Sequence, residues 1–445
     1  MSVFKRYKYW ISSAKYTTVQ KFMILIIGII SFMLLARMLG PEGYGVWGLF
    51  VLIAAITETT RNSLIRNAFI WFSHQADKGE QGRLQTAALF INGLLSILLA
   101  ALYFFLSGLI ANALNAPSLS VMLKIYSVCL LITVFFSHIE TVLNAKMDFR
   151  GICWMNCFRQ IVLLTGILVF YFSHLQISTV YLALIYLASV VVGSITGLIM
   201  STKYLFWQSE GYKTWISRLW KFGRFVFGTN IFSQLFRSTD VIITSVLFGP
   251  GVSAYYNASQ RISNLVDMPS AVLADIMFPK VAQFGSADKQ AIKNIYEKAV
   301  GATMIFSIPA LLIILIFPEV ILRILAGNEF VVAAPILRII AFFGFMLPFL
   351  KQFGTVIDGT GNPHINFRLM FFGFVINIII ILIFTQFWGV VGTAIGTATT
   401  YFILFVISQI ILHRKFGISI VGVVKHIGLF YVEMAHTIKS LVKGH

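Results

Sequence analysis

Charged residues are scarce in this chain, and their scarcity excludes most soluble proteins. Only 11% of the 445 residues are charged, whereas 58% are hydrophobic and the mean hydropathy is +0.86. A soluble globular domain carries about a quarter of charged residues. Acidic residues are the rarer charged type, with 16 Asp and Glu against 34 Lys and Arg. The composition therefore predicts a basic membrane protein.

Cysteine is also rare. Cys129, Cys153 and Cys157 are too few for a disulfide framework. Cys153 and Cys157 lie one helical turn apart, which suits a metal, but no His or Cys pair lies nearby in the sequence to complete four ligands. We therefore expect inert thiols and no metal site.

The usual signatures of membrane enzymes are missing. The sequence has no Gly-x4-Gly-Lys-Ser/Thr loop, so the chain does not hydrolyse ATP by that route. Most of the eight histidines lie at the ends of apolar runs or in the C-terminal tail, which argues against an acyltransferase. The predicted external loops are short, which argues against a polysaccharide polymerase. We expect no enzymatic activity and no cofactor.

Long apolar runs are what the sequence has instead. Only helices and closed barrels satisfy their backbone in lipid, and runs of this length are typical of helices. The first run is too long for the core of a cleavable signal peptide, so we expect it to stay as a helix. The runs predict about twelve spans, at residues 17–36, 44–72, 85–111, 119–144, 151–172, 177–201, 222–248, 253–277, 299–317, 333–357, 366–386 and 389–412.

The basic residues are distributed asymmetrically over the predicted loops. If the N-terminus is cytoplasmic, the outside segments carry only Arg37, Lys124, Arg323 and Arg338, and all other loop cations lie inside. The positive-inside rule then places both termini in the cytoplasm. Most of the net charge of +18 is therefore expected to face anionic lipid headgroups rather than nucleic acid.

An internal repeat divides the chain. The longest polar connection, residues 203–221, separates two sets of six spans, and the turn Gly40-Pro41 recurs 209 residues later as Gly249-Pro250. Ala116-Pro117 similarly matches Ala334-Pro335. These matches predict a parallel repeat. The predicted domains are a six-helix lobe at 1–210, a second at 211–413, and a cytoplasmic amphipathic interfacial tail at 414–445.

Charged and amide side chains form polar stripes within the apolar runs. At 100° per residue, Glu58, Arg61 and Arg66 fall on one side of their helix. An Arg at bilayer depth costs about 2.5 to 3.5 kcal/mol, so such residues normally face a bundle interior or a water-filled cavity. The same argument applies to the other stripe residues, which are Glu140, Arg159, Arg237, Asp240, Asn257, Arg261, Asp267 and Lys351.

Two interpretations of these stripes remain open. In the first, the charges pair within one helix at i,i+3 spacing, as for Arg61 with Glu58 and Arg237 with Asp240. In the second, the cations line a cavity that keeps excess positive charge, because three of them have no acid one turn away on the same helix: Arg66, Arg159 and Arg261. Such a cavity suits an anion, and Arg forks suit phosphate oxygens.

One segment resembles a known family. The stretch Ala36-Arg37-Met38-Leu39-Gly40-Pro41-Glu42-Gly43-Tyr44-Gly45 is similar to the signature of the bacterial polysaccharide transporter family. These are the Wzx-type O-antigen and exopolysaccharide flippases of the multidrug/oligosaccharidyl-lipid/polysaccharide (MOP) superfamily. The segment from Leu325 to Phe330, followed by Ala334-Pro335-Ile336-Leu337-Arg338, resembles that leading into the family's tenth helix.

The resemblance implies both a fold and a function. The fold is an all-α polytopic membrane protein, in which two pseudo-symmetric six-helix lobes form a V around a central cavity, as in multidrug and toxin extrusion (MATE) transporters. The function is to move an undecaprenyl-diphosphate-linked oligosaccharide across the bacterial inner membrane by alternating access. Membrane lipids, a polysaccharide polymerase and chain-length machinery are the implied partners, and one chain suffices for the cavity. A MATE-type cation exporter and a lipid II flippase are the alternatives.

On this interpretation the stripe residues divide into two groups. We expect the substrate diphosphate and acidic sugars to bind Arg61, Arg66, Arg159, Arg237, Arg261, Asn257 and Lys351. The acidic residues would bind a coupling ion, H⁺ or Na⁺, or clamp helices together: Glu58, Glu140, Asp240 and Asp267.

Overall fold

The computed structural model describes residues 3–428 and residue 430, with gaps at 74, 78, 174, 176, 209 and 285–287. All regular elements within these residues are helices, so the predicted all-α class is confirmed. Two short 3₁₀ helices are Thr202–Tyr204 and Asn328–Ala333. The α-helices are α1 (Val3–Ser73), α2 (Gln81–Ala113), α3 (Leu119–Ala145), α4 (Phe149–Phe172), α5 (Thr179–Ser201), α6 (Tyr212–Phe248), α7 (Pro250–Phe284), α8 (Lys289–Ile316), α9 (Pro318–Leu325), α10 (Ala334–Gly344), α11 (Leu347–Gly359) and α12 (Pro363–Phe416).

The helices are long enough to make a polytopic membrane protein. Among the described residues, eight helices are long and apolar enough to cross a membrane. The number rises to nine if the bent pair Asn328–Gly344 and Leu347–Gly359 counts as one span. Helices α1 and α12 each join two helical segments across a kink. The count of twelve spans stays a prediction.

Two glycine residues with positive φ interrupt the helical backbone, one in α1 and one between α6 and α7. Gly40 within α1 has φ 64° and ψ −177°, and Gly249 between α6 and α7 has φ 86° and ψ 172°. This backbone region is essentially restricted to glycine, because a Cβ would clash. A proline follows each glycine, and the two turns are those that the repeat search aligned. The sequence match therefore extends to backbone conformation.

The span predicted at residues 333–357 is not one continuous helix. It is broken after Gly344, and the two parts meet at an angle of 42°. Pro348 lies in the first turn of α11. A proline cannot donate the hydrogen bond to residue i−4, here Gly344, and its ring clashes with that carbonyl. The apolar run alone did not reveal this break.

The contacts divide the chain into two compact units. Unit 1 contains Met1–Gln234, Ser245–Ala254 and Leu325–Gly327, and unit 2 contains Leu235–Thr244, Tyr255–Ile324 and Asn328–His445. The predicted division into lobes at residue 210 stays a prediction.

Each unit has its own hydrophobic core. In unit 1, Leu64 of α1, Ala87 of α2, Val142 of α3 and Trp215 of α6 are buried in one cluster. Gly193 of α5 allows a close approach to α3 and α4, since a Cβ there would lie 3.1 Å from the Arg159 Cβ. Small residues therefore bring the polar residues of neighbouring helices within reach of one another.

The core of unit 2 extends into the start of the C-terminal tail. Tyr296 of α8, Phe353 of α11 and Leu412 of α12 are buried together with Val423, which follows α12. The Glu297 carboxylate accepts a hydrogen bond of 3.1 Å from the Ser419 backbone N–H. The first part of the predicted interfacial tail is thus anchored on α8. Residues 429 and 431–445 of that tail lie outside the described residues.

Candidate functional site

The most connected polar cluster of unit 1 joins three helices at Glu58. Arg159 of α4 forms an ion pair of 3.2 Å with the Glu58 carboxylate of α1. The Tyr186 hydroxyl of α5 donates to the same carboxylate oxygen at 3.0 Å and accepts from Arg159 Nη2 at 2.7 Å. The side chains of Arg159 and Glu58 are 15% and 25% exposed. We call Glu58, Arg159, Tyr186 and the nearby Arg61 the Glu58 cluster.

Aromatic rings hold the cluster in place. The guanidinium of Arg159 lies 5.1 Å from the centre of the Phe136 ring and 5.2 Å from that of Tyr186, within cation–π range. Phe50 of α1 packs edge-on against Tyr186 at 5.5 Å. The carboxylate, the guanidinium and the phenol therefore have little freedom to separate.

Arg61 occupies a different position from the one predicted. It is only 1% exposed, and its Nη1 donates to Ser96 Oγ of α2 at 3.2 Å. It forms no ion pair with Glu58, although the i,i+3 spacing allows one, because Glu58 pairs with Arg159 of another helix. The Nε and Nη2 atoms of Arg61 are buried and have no hydrogen-bond partner in the described part of the chain.

The remaining stripe residues of unit 1 are less constrained. Arg66 is half-buried and makes no ion pair or hydrogen bond with any described residue. The Glu140 carboxylate accepts from Asn156 Nδ2 at 3.4 Å. Arg159 has no acid one turn away on its own helix, as the sequence shows, but it has a carboxylate partner on another helix, Glu58 of α1.

In unit 2, one stripe carboxylate forms an ion pair and another accepts a hydrogen bond from an amide. Lys351 of α11 forms an ion pair of 2.6 Å with Asp267 of α7, and their side chains are 26% and 21% exposed. Asp240 of α6 is buried and accepts from Gln260 Nε2 at 2.8 Å. The i,i+3 pair of Asp240 with Arg237 is wrong: Arg237 is exposed and forms no ion pair within the described residues.

Two further predicted residues lie on α7. Arg261 and Asn257 are half-buried, one helical turn apart. The Nδ2 atom of Asn257 is buried without a hydrogen-bond partner among the described residues. Asn257 therefore has a buried N–H donor that no described residue satisfies.

Several polar residues of the sites were not predicted. Tyr186 lies in a run without charges, and Ser96 is one hydroxyl among many, so neither has a local signal. Asn377 of α12 is fully buried, and its side-chain amide has no partner within the described residues. An isolated amide in an apolar run is the signal that could have identified it.

Unit 1 also contains a cavity of about 780 Å³ away from these charges. It lies beside the kink of α1, and its lining includes Glu42, Asn115, Tyr171 and Thr179. None of the predicted substrate-binding residues lines it.

The cysteines form no metal centre with the other described residues. All three are free and buried, and the Sγ atoms of Cys153 and Cys157 are 3.8 Å apart. Among the described residues, no group of three or more His, Cys, Asp or Glu side chains could hold a metal ion.

Comparison with known proteins identifies the family. A model of the family described as "Polysaccharide biosynthesis protein" matches residues 34–335, more than half of the chain. The chain belongs to this family. The resemblance of the segment Ala36–Gly45 to Wzx-type flippases of the MOP superfamily is thereby confirmed.

Two relatives illustrate the range of this family. The lipopolysaccharide biosynthesis protein WzxC of Escherichia coli K12 is 20% identical over 404 residues, which cover 88% of this chain and 80% of WzxC. The "Probable low-salt glycan biosynthesis flippase Agl15" of Haloferax volcanii is 24% identical over 206 residues. That match covers 46% of this chain and 43% of Agl15, so the chain spans less than half of Agl15.

Solved structures of two transporters share the fold of this family member. The lipid II flippase MurJ in an inward closed conformation aligns with a TM-score of 0.75 at 15% identity, over 95% of this chain and 93% of MurJ. An inward-facing MATE multidrug transporter of the MOP superfamily aligns with a TM-score of 0.74 at 14% identity, over 90% and 98%. At these identities the likeness shows the fold alone.

Proposed function

We propose that this family member is a flippase for an undecaprenyl-diphosphate-linked oligosaccharide, the repeat unit of an O-antigen or exopolysaccharide. It acts as a monomer in the bacterial inner membrane, has both termini in the cytoplasm and works by alternating access. It is a transporter without catalytic residues. The names of the two relatives, which refer to a glycan biosynthesis flippase and to lipopolysaccharide biosynthesis, support this substrate class.

The observation that carries the proposal is a set of cations within the helices that have no carboxylate partner. Arg66 of α1 is half-buried and Arg237 of α6 is exposed, and neither forms an ion pair among the described residues. A guanidinium binds phosphate oxygens in a bidentate manner, and each charge-assisted hydrogen bond contributes about 1.5 to 3 kcal/mol. A diphosphate is the part of the substrate that such groups fit. An exported organic cation would be repelled by them.

The accessibility of each residue refines its proposed role. Arg66 and Arg237 are each assigned to the diphosphate. Arg261 and Asn257, both half-buried on α7, are assigned to the diphosphate or the acidic sugars. Arg159 and Lys351 are held by carboxylates, so we assign them to the substrate only if those ion pairs open. Arg61 is too deeply buried in this conformation to reach a diphosphate.

The acidic residues are the candidates for coupling to an ion. Glu58 and Asp267 each hold a cation, Asp240 binds an amide and Glu140 lies beside Asn156. Protonation of Glu58 or Asp267 would release its cation for the substrate. H⁺ is therefore the coupling ion that we favour over Na⁺, and no other cofactor is proposed.

The test is translocation of an undecaprenyl-diphosphate-linked glycan in proteoliposomes. An impermeant enzyme that modifies the sugar reports which leaflet holds the substrate. We expect Arg66→Gln and Arg237→Gln each to lower the rate about tenfold or more, since each loses at least one charge-assisted hydrogen bond. Arg338→Gln is the matched control, because Arg338 is exposed and pairs with Glu319 outside the stripes.

The outcomes separate the alternatives. Normal transport by well-inserted Arg66→Gln and Arg237→Gln proteins would refute their role in binding. Efflux of small organic cations by the wild type, without translocation of the glycan lipid, would identify a MATE-type exporter. Translocation of lipid II in preference to shorter glycan lipids would identify a lipid II flippase.

A further inference from the structure

The Glu58 cluster carries more positive than negative charge. It contains two guanidinium groups, those of Arg61 and Arg159, and one carboxylate, that of Glu58. Arg159 occupies the carboxylate at 3.2 Å. The other ionisable groups that act on Arg61 are Tyr126, Cys129 and Tyr186, which are neutral in their ordinary state. Within the Glu58 cluster, one positive charge therefore has no counter-charge.

The unused hydrogen-bond donors of Arg61 lie on one edge of its guanidinium group. Among the described residues, the Arg61 side chain makes one hydrogen bond, from Nη1 to Ser96 Oγ at 3.2 Å. The Nε–H and one Nη2–H lie along the same edge of the guanidinium and form a bidentate fork. Both atoms are buried and have no partner among the described residues. The buried fork therefore needs a hydrogen-bond acceptor, and the described residues supply none.

The burial of Arg61 limits what this acceptor can be. With 1% of the residue exposed, a diphosphate or a sugar has no access to the fork. Water would satisfy the donors but would leave the buried positive charge uncompensated, which is unfavourable in a low-dielectric interior. A small anion satisfies the donors and also neutralises the cluster.

We infer that the Nε–Nη2 edge of Arg61 binds a small monovalent inorganic anion of the halide class, with chloride as the physiological ligand. This site is separate from the substrate site proposed above and does not depend on it. The anion makes the Glu58 cluster neutral, so that Arg159 and Glu58 can stay paired while Arg61 is buried.

The first experiment measures chloride binding by the purified full-length protein in detergent. Chloride replaces gluconate at constant ionic strength, and the midpoint of thermal unfolding is followed. We expect a saturable rise of the midpoint for the wild type and for Arg338→Gln, and loss of that rise in Arg61→Gln. Glu58→Gln leaves two cations without a carboxylate, so its midpoint should saturate at a lower chloride concentration than that of the wild type.

A second measurement uses the unaltered protein, so that a variant that fails to fold cannot hide the answer. Crystals grown in bromide should show an anomalous peak within hydrogen-bond distance of Arg61 Nε and Nη2. An unfolding midpoint that does not depend on chloride, an unchanged dependence in Arg61→Gln, or bromide bound only elsewhere would each overturn the site. None of these readouts involves transport, so the proposed flippase activity can fail or succeed independently.

Discussion

The two units place charged residues in apolar helices, but they compensate them differently. In unit 1 one carboxylate, Glu58, serves a cluster with two guanidinium groups, and a phenol completes the hydrogen bonds. In unit 2 the Lys351 ammonium has its own carboxylate, Asp267, at 2.6 Å, while Asp240 is satisfied by an amide. The Glu58 cluster therefore has two cations for one carboxylate, whereas Lys351 has a carboxylate of its own.

This difference shows that equivalent polar stripes need not have equivalent partners. Glu58 and Asp267 are 209 positions apart, the same offset as the two glycine–proline turns. Glu58 contacts α4 and α5, whereas Asp267 contacts α11. The repeat preserves where the acid lies along the chain, and the neighbouring helices determine which cation it meets.

Removing the shared carboxylate should have the largest effect. Glu58→Gln leaves two cations without a carboxylate, Arg159 with 15% of its side chain exposed and Arg61 with 1% of the residue exposed. Leaving a buried charge without its partner costs up to about 3 to 5 kcal/mol. Asp267→Asn leaves a single ammonium that is 26% exposed, so its cost should be about 1 kcal/mol. Unfolding midpoints of both variants in one detergent check the ranking. Equal midpoints would contradict the view that both cations of the Glu58 cluster depend on one carboxylate.

A steric test concerns the close approach of α1 to the start of α7, beside the two glycine turns. A Cβ on Gly45 would overlap the Pro250 carbonyl, whereas a Cβ on Gly251 would lie 3.5 Å from the Glu42 side chain. Gly45→Ala should therefore destabilise the protein by about 1 to 3 kcal/mol, as overpacking does. Gly251→Ala is the matched control and should have little effect. Comparable yields of folded protein and comparable midpoints for the two variants would disprove the close approach.

Substitution of two tyrosines compares hydrogen bonds to charged groups with a hydrogen bond to a neutral group. Tyr186→Phe loses bonds to the Glu58 carboxylate and the Arg159 guanidinium, and a hydrogen bond to a charged group contributes about 1.5 to 3 kcal/mol. Tyr256→Phe loses one bond to the Val390 carbonyl, at 3.0 Å, which contributes about 1 kcal/mol. The midpoint of Tyr186→Phe should be the lower one. The reverse order would show that the phenol of Tyr186 does not support the Glu58 cluster.

The smallest effect is expected for the ion pair outside the stripes. Arg338 and Glu319 are 45% and 41% exposed, so their 2.8 Å contact is screened by water. Arg338→Gln should change stability by about 0 to 1 kcal/mol, and raising the salt concentration should remove even that difference. A midpoint lowered as far as that of Glu58→Gln would mean that exposure does not govern the strength of these pairs.

Much of the fold was predictable from the sequence. The all-α class, the positions of most helices and the turn at Gly40-Pro41 follow from long apolar runs interrupted by glycine and proline. The break after Gly344 was missed because Pro348 lies in a run that is otherwise uninterrupted. The charged residues of the candidate site could also be identified from the sequence, because charges are rare in apolar runs that span a membrane.

The partners of those residues were not predictable. Local spacing favoured Arg61 with Glu58 and Arg237 with Asp240, but the structure pairs Glu58 with Arg159 and Lys351 with Asp267. A chain in lipid satisfies its backbone within each helix, so composition and periodicity alone determine that the segments are helices and which of their residues are polar. Side-chain pairing depends on how each helix is rotated and how deeply it lies against its neighbours. Those are long-range properties that only the tertiary packing decides.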